Sequence, residues 1–313
     1  MFLAGLGRSG TTLLERALGE LSGIRALGEV VHLWQRGIVD DELCGCGEPF
    51  SRCEFWTGVG RRAFGGWDAV DVAGVAAARR RADRLRSLPQ MALVRRGSDV
   101  RAAAAVLAEH HARVYDAVAR LTGVSTVVDS SKHPSLAYCL RGDHAIDLRV
   151  VHVVRDSRGV AYSWTKSVER PETTGRGPDA WMTRYAPSRS AVLWSLHNTC
   201  VRTLARLGTP VMLVRYESFL RAPAQTLVDV ARFAGLAVDP AELRFVADGQ
   251  ITLTPAHSAA GNPLRFRSGT LPLRPDDAWR ALLPRPQRLT VTALTYPQLR
   301  RYGYVRSAGR GQP

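Results

Sequence analysis

Residues able to grip an anion stand at three places in the chain, each directly after an apolar run. The first is Gly5-Leu6-Gly7-Arg8-Ser9-Gly10-Thr11-Thr12. Glycines at this spacing let a backbone come close to an oxyanion, and a helix starting at once beyond them offers unpaired N–H groups with a favourable dipole. Gly7, Arg8, Ser9, Gly10, Thr11 and Thr12 are thus candidates to cradle a phosphate-like group. In the nucleotide-hydrolase loop G-x4-G-K-[ST] a lysine reaches the β- and γ-phosphates, and Thr11 stands at that position here. The loop is therefore built for something other than the γ-phosphate of ATP, which weakens the alternative of a P-loop kinase or NTPase. A dinucleotide site is also poorly served, because the last glycine of G-x-G-x-x-G is missing.

The second place is Val153-Val154-Arg155-Asp156-Ser157, followed by Ser163 eight residues beyond Arg155. Two helical turns separate them, so a guanidinium and a hydroxyl can face one anion, a contact worth roughly 2 to 4 kcal/mol when partly buried. The competing role for Arg155 is a structural ion pair with Asp156 or Glu217. The third place is the polar turn Asp129-Ser130-Ser131-Lys132-His133-Pro134 after Val127 and Val128.

These clusters need strands to hold them. Residues 2–6 form a short apolar run, and Leu13, Leu14, Ala17 and Leu18 then recur at helical spacing. The same order returns at 148–166, where LRVVHVV is a continuous β-branched run and Asp156 can cap the next helix. A further strand is expected at 210–214, with a helix from about 218 to 235. Strands alternating with helices imply an α/β fold, a three-layer P-loop-like arrangement with a central, mostly parallel sheet. Ligands in such sheets lie beyond the carboxyl ends of the strands, where all three clusters fall. An alanine- and arginine-rich stretch at about 68–122 predicts a helical insertion, with the arginines at 79–81 on a solvated face. Residues 167–190 lack periodicity and are expected to form a mobile loop able to close over a substrate.

The length of 313 residues suits a single domain, and a hydrophobic content of 45% with 23% charged residues excludes a disordered chain, a collagen and a bare coiled coil. No apolar stretch reaches the roughly 20 residues of a membrane span. The net charge is +15, and only Lys132 and Lys166 are lysines among 43 basic residues. Arginine at that density comes either from codon usage or from a need to hold anions. No zinc-finger spacing, RNP-type signature or basic zipper points to nucleic acid.

Two anion clusters on one parallel sheet, without the P-loop lysine, resemble the sulfotransferases that use 3'-phosphoadenosine 5'-phosphosulfate (PAPS). GLGRSGTTLL is similar to their 5'-phosphosulfate loop, and VVRDSRGVAYSW to their 3'-phosphate strand and helix, with Arg155 and Ser163 at the matching spacing. VRYESFLRAPAQTLVDVARFAGL resembles the family's RYEDL-type strand and helix. GNPLRFRSG resembles the basic loop that closes on the nucleotide, which implicates Arg265, Arg267 and Gly269. Arg8 stands where cytosolic aryl sulfotransferases carry a lysine, so the resemblance is closer to the bacterial, tyrosylprotein and carbohydrate branches.

The resemblance implies transfer of a sulfuryl group to a small-molecule, carbohydrate or phenolic hydroxyl. Such transfer is mostly positioning plus stabilisation of charge on the leaving oxygen. Lys132, in a pattern similar to the N-K-x-P of the tyrosylprotein enzymes, is the candidate cation. Glu29, after Gly28 and before an apolar pair, is the candidate general base, with His32 and His133 as alternatives. Ser258 is a candidate hydrogen-bond donor to the transferred group. No metal is expected, since basic side chains suffice for a group with less charge than a phosphoryl.

Five cysteines, with no leader, point to a reducing compartment and a cytoplasmic protein. Three of them lie in CGCGEPFSRC, for which three readings stand: free thiols, a Cys46–Cys53 disulfide, or a zinc site with His32 as fourth ligand. The acceptor pocket is expected from residues 30–60, 68–122 and 167–190, with Trp34, Trp56, Trp181 and Tyr185 either lining it or packing a core.

Overall fold

A computed structural model describes residues 1–92, 98–170 and 181–305. Strands β1 (Phe2–Ala4), β2 (Ile24–Ala26), β3 (Thr126–Lys132), β4 (Val150–Val154) and β5 (Val211–Arg215) form one parallel sheet in the order β2-β3-β1-β4-β5. The helices are α1 (Thr11–Leu18), α2 (Glu54–Phe64), α3 (Val72–Ala82), α4 (Leu88–Ala92), α5 (Asp99–Thr122) and α6 (Pro134–Leu140). After them come α7 (Ser157–Thr165), α8 (Pro187–Arg206), α9 (Tyr216–Arg221), α10 (Pro223–Phe233), α11 (Trp279–Leu282) and α12 (Arg285–Arg301). The fold is α/β, as expected.

Alternation along β1 divides the core. Phe2 and Ala4 face a cluster with Trp56, Val75, Leu107 and Val118, whereas Leu3 faces Leu14, Leu18, Phe219, Leu227 and Val230. One face of the sheet is thus covered by α2, α3, α5 and α6, and the other by α1, α9 and α10. The helices of 68–122 share their core with β1; residues 93–97 of this stretch lie outside the described residues. The chain leaves β1 toward β2 on one side and leaves β4 toward β5 on the other, so the gap between β1 and β4 is the switch point at which such sheets bind ligands.

The helix expected from 218 to 235 is two helices, because Pro223 ends one and starts the other. A three-stranded antiparallel sheet, β6 (Val246–Ala247), β7 (Gln250–Leu253) and β8 (Gly269–Pro272), packs Ile251 and Leu253 onto the α1 side. Sequence reasoning missed it, since its strands are short and partly polar. Nor is the arginine run at 79–81 wholly solvated: Arg79 turns inward to Asp83 (3.5 Å) and His32 (3.5 Å). Of the loop expected at 167–190, residues 171–180 lie outside the described residues, and α8 begins at Pro187. The described flanks meet where Met182 N donates to Val168 O at 2.8 Å.

Leu14 is 1% exposed and anchors α1 beneath the sheet. Leu14→Ala should cost about 2–5 kcal/mol, read as a lower urea midpoint with an unchanged slope.

Candidate active site

The turn from β1 to α1 has the backbone its glycines predict. Gly10 has φ 87°, and a Cβ there would lie 2.1 Å from the ring of Tyr216. Arg8 also has positive φ, at 73°, which aims its side chain across the turn to Trp164 and to Sδ of Met182 at 3.3 Å. Ser9, Thr11 and Thr12 are buried. Oγ of Ser9 and Nε of Arg8 are buried without a hydrogen-bond partner. The indole N–H of Trp164, which sequence reasoning did not single out, closes the turn by donating to Gly7 O at 3.0 Å.

Arg155 follows β4 and reaches the same turn, donating to Arg8 O at 3.1 Å and lying over the ring of Tyr216 at 5.1 Å. Its ion-pair partner is Asp276, at 3.0 Å, and neither Asp156 nor Glu217. Asp156 caps α7 and pairs with Arg158 at 2.6 Å, while Glu217 accepts from Asp156 N at 2.9 Å and from the Tyr304 hydroxyl at 2.6 Å. Ser163, on α7, lines the same cleft as Arg155.

Lys132 ends β3 with φ 70°, a left-handed bend uncommon for a side-chain-bearing residue, and its ammonium pairs with Oε1 of Glu29. Glu29 is held from three sides. Its backbone N donates to Ala260 O at 3.2 Å, and Nε2 of His32 lies 3.6 Å from Oε2. The neighbouring Val31 N donates to Ser131 Oγ at 2.9 Å. Gly261, at φ 133°, leaves room for the carboxylate, since a Cβ there would lie 2.9 Å from Oε1. Burial, helped by Arg36 and Arg79, holds His32 well below its usual pKa and therefore neutral. His133 instead bonds Asp83 at 2.7 Å. Against the opposing effect of burial, His133 and Ser135 keep the Asp83 carboxyl well below the usual carboxylate range.

The glycine turn, Glu29, Lys132, Arg155 and Ser163 line one cleft of about 610 Å³, a size suited to a small ligand. Tyr185 lines it, stacked on Trp164 with centroids 4.4 Å apart, whereas Trp34 and Trp56 are buried in the core and Trp181 is exposed.

Buried Ser9 and Ser258, with two arginines and a glycine of the 261–269 loop, all singled out in the sequence, stand outside this lining. Ser258 is wholly buried and its hydroxyl points to Glu15 at 3.5 Å. Arg265 is buried behind the cleft, where Nη1 meets Ser258 O at 3.4 Å, because Arg16 and Phe266 hold its segment inward. Arg267 and Gly269 are exposed, Gly269 pairing with Leu253 at the start of β8. Leu264, Asn262 and Gly261 of that loop line the cleft instead.

Glu15 is a further residue that sequence reasoning missed. It is buried on α1, accepts from Gly28 N at 2.8 Å and Ser130 Oγ at 3.2 Å, and so ties α1 to the turns that carry Glu29 and Lys132. Burial pushes its pKa from 4.5 up to about 7.

Residues 1–248 match the family model of the sulfotransferase domain. The chain belongs to the sulfotransferase domain family. It is accordingly a sulfotransferase, and the kinase alternative is not favoured. No curated protein matches it in sequence. Among solved structures, the sulfotransferase domain from the Synechococcus PCC 7002 olefin synthase is 18% identical with a TM-score of 0.51, covering 98% of this chain and 94% of that one. The sulfotransferase domain from the curacin biosynthetic pathway is 16% identical with a TM-score of 0.51, covering 95% and 96%. Both share the fold. Among the described residues no helix is long and apolar enough to cross a membrane.

Glu15 makes the fold pH-dependent. Its carboxyl loses a proton near 4.5 when unfolded and near 7 when folded, so the folded state binds more protons between those values and stability falls as pH rises through that window. Glu15→Gln keeps the shape and removes the titration. Wild type should lose on the order of 3 kcal/mol relative to the variant between about pH 4.5 and 7.5, and parallel urea midpoints across that range would contradict it.

Proposed function

We propose that the chain is a PAPS-dependent sulfotransferase that sulfates a hydroxyl of a small-molecule, carbohydrate or phenolic acceptor. The observation that carries this reading is the meeting of Glu29 and Lys132 in the cleft entered by the glycine turn, with Arg155, just past β4, and Ser163, on α7, lining the same cleft. The unpartnered Ser9 hydroxyl and the first-turn amides of α1 fit a 5'-phosphosulfate, and Arg155 with Ser163 fits a 3'-phosphate. When bound, the donor supplies the sulfuryl group and leaves as adenosine 3',5'-bisphosphate.

Glu29 takes the proton of the acceptor hydroxyl as the acceptor oxygen bonds sulfur. Lys132 donates to the oxygen between phosphorus and sulfur, which gains charge as its bond to sulfur breaks. Their mutual ion pair keeps both charged groups at the reaction centre, and each exchanges that partner for a substrate atom. Neutral His32 stands behind Glu29 and can accept a hydrogen bond from it once it is protonated. The closer likeness to the bacterial, tyrosylprotein and carbohydrate branches rests on Arg8 and on Lys132-His133-Pro134.

Calorimetric titration with adenosine 3',5'-bisphosphate, beside ATP with magnesium, tests the nucleotide. Selective binding of the bisphosphate is expected, weakened roughly 10- to 100-fold by Arg155→Ala. Binding of ATP alone would overturn the reading. Glu29→Gln should lower turnover by about 10²- to 10⁴-fold and leave bisphosphate affinity within a few-fold; unchanged turnover would remove Glu29 as the base.

A further inference from the structure

The three cysteines of CGCGEPFSRC are gathered around a histidine from far along the chain. Sγ of Cys53 lies 3.7 Å from Sγ of Cys44 and 3.8 Å from Sγ of Cys46. Nδ1 of His257 lies 3.3 Å from Cys53 Sγ and 3.8 Å from Cys44 Sγ. All four atoms fall within 4.8 Å of one another. Around a tetrahedral ion with bonds of about 2.3 Å to sulfur and 2.0–2.1 Å to nitrogen, two sulfurs stand about 3.8 Å apart and a sulfur and a nitrogen about 3.6 Å apart. Four of the six separations thus lie within about 0.3 Å of those of such a tetrahedron, and the other two do not exceed 4.8 Å.

The surrounding chain is built to hold them there. Gly45 N donates to Ser258 O at 3.0 Å, and a Cβ on Gly45 would lie 2.6 Å from Ala256 O, so only glycine lets the loop lie against the histidine's segment. Cys44 N donates to Glu48 O at 2.8 Å, and Gly47 N to Cys44 O at 2.9 Å, which turns the loop back on itself. Cys53 is the N-cap of α2, where the helix dipole favours a thiolate. The His257 ring stacks on Phe55, centroids 4.9 Å apart and planes 18° apart, which points Nδ1 at the sulfurs. His32, the fourth ligand considered from sequence, lies instead against Glu29.

We propose that Cys44, Cys46, Cys53 and His257 hold one Zn²⁺ ion, a structural site that clips the 44–53 loop to the segment carrying Ser258. Three thiolates and an imidazole are a ligand set for zinc, and with four protein ligands no position is left for substrate. Uptake displaces the three thiol protons, so the site fills less readily in acid. In place of the expected metal-free chain, the ion would brace the active site from behind: Ala259 N donates to Leu27 O at 2.8 Å and Glu29 N to Ala260 O at 3.2 Å, both one or two residues from the clipped segment.

The test is metal analysis of the full chain purified in the presence of zinc, followed by exchange with Co²⁺. Expected are about one zinc per chain and, with cobalt, the sulfur-to-metal charge-transfer band and intense visible bands of a tetrahedral ion. Cys53→Ser and His257→Ala should each lose the metal, and Cys200→Ser should keep it. Because the cobalt spectrum is read on the wild type, it stands even if a variant fails to fold. A wild type free of zinc and without a tetrahedral cobalt spectrum, a Cys46–Cys53 disulfide in peptide maps of the protein as purified, or metal retained in both ligand variants would overturn the proposal.

Discussion

A single buried carboxylate knits the site together. Glu15 projects from α1 into the junction of three segments that are distant in sequence, bonding Gly28 before the candidate base, Ser130 before the candidate cation, and Ser258 in the loop behind both. A buried polar group left unsatisfied is costly, so these three segments can move away from α1 only by giving up hydrogen bonds that no water replaces. The position of Glu29 relative to Lys132 follows from that constraint. Asp129 adds a second tie on the same strand, accepting from Ser131 N at 2.7 Å while Ser131 Oγ accepts from Val31 N.

The sheet order explains why cationic side chains converge without a long loop to carry them. With β1 between β3 and β4, the chain leaves three neighbouring strand ends at one edge. At or just past those ends stand the glycine turn, Lys132 and Arg155. Each is fixed within a residue or two of a buried strand, which suits a site whose chemistry depends on placement.

Much of this could be read from sequence, for reasons that differ by element. β4 is legible because a parallel strand buried on both faces is a continuous apolar run, and the β1–α1 turn because glycines at fixed spacing have few other uses. β2 is not, since Ile24–Ala26 is three residues long with an arginine in the middle. Glu15 sits in TTLLERAL, where a charged residue beside leucines looks like the solvent face of an amphipathic helix. In fact both Glu15 and Arg16 are buried, because β7 and the 254–265 segment cover that face. His257 could not be linked to the cysteines, being a lone histidine 204 residues from Cys53. Arg265 and Arg267 show the converse limit: a basic loop can be recognised by composition, but which of its side chains turn inward depends on strands that pair from far away.

The carboxylate on Arg155 has a consequence for what the cleft will accept. Asp276 sits on the guanidinium at 3.0 Å and within 3.6 Å of Lys166, and Glu29 does the same for Lys132. A strongly basic chain thus presents a cleft whose two most important cations are already neutralised from within. A singly charged solute offers them little that Asp276 and Glu29 do not, whereas a group with two negative charges and several oxygens outbids one carboxylate. The internal pairs thus favour a polyanion over a singly charged solute, because it can replace both carboxylates at once.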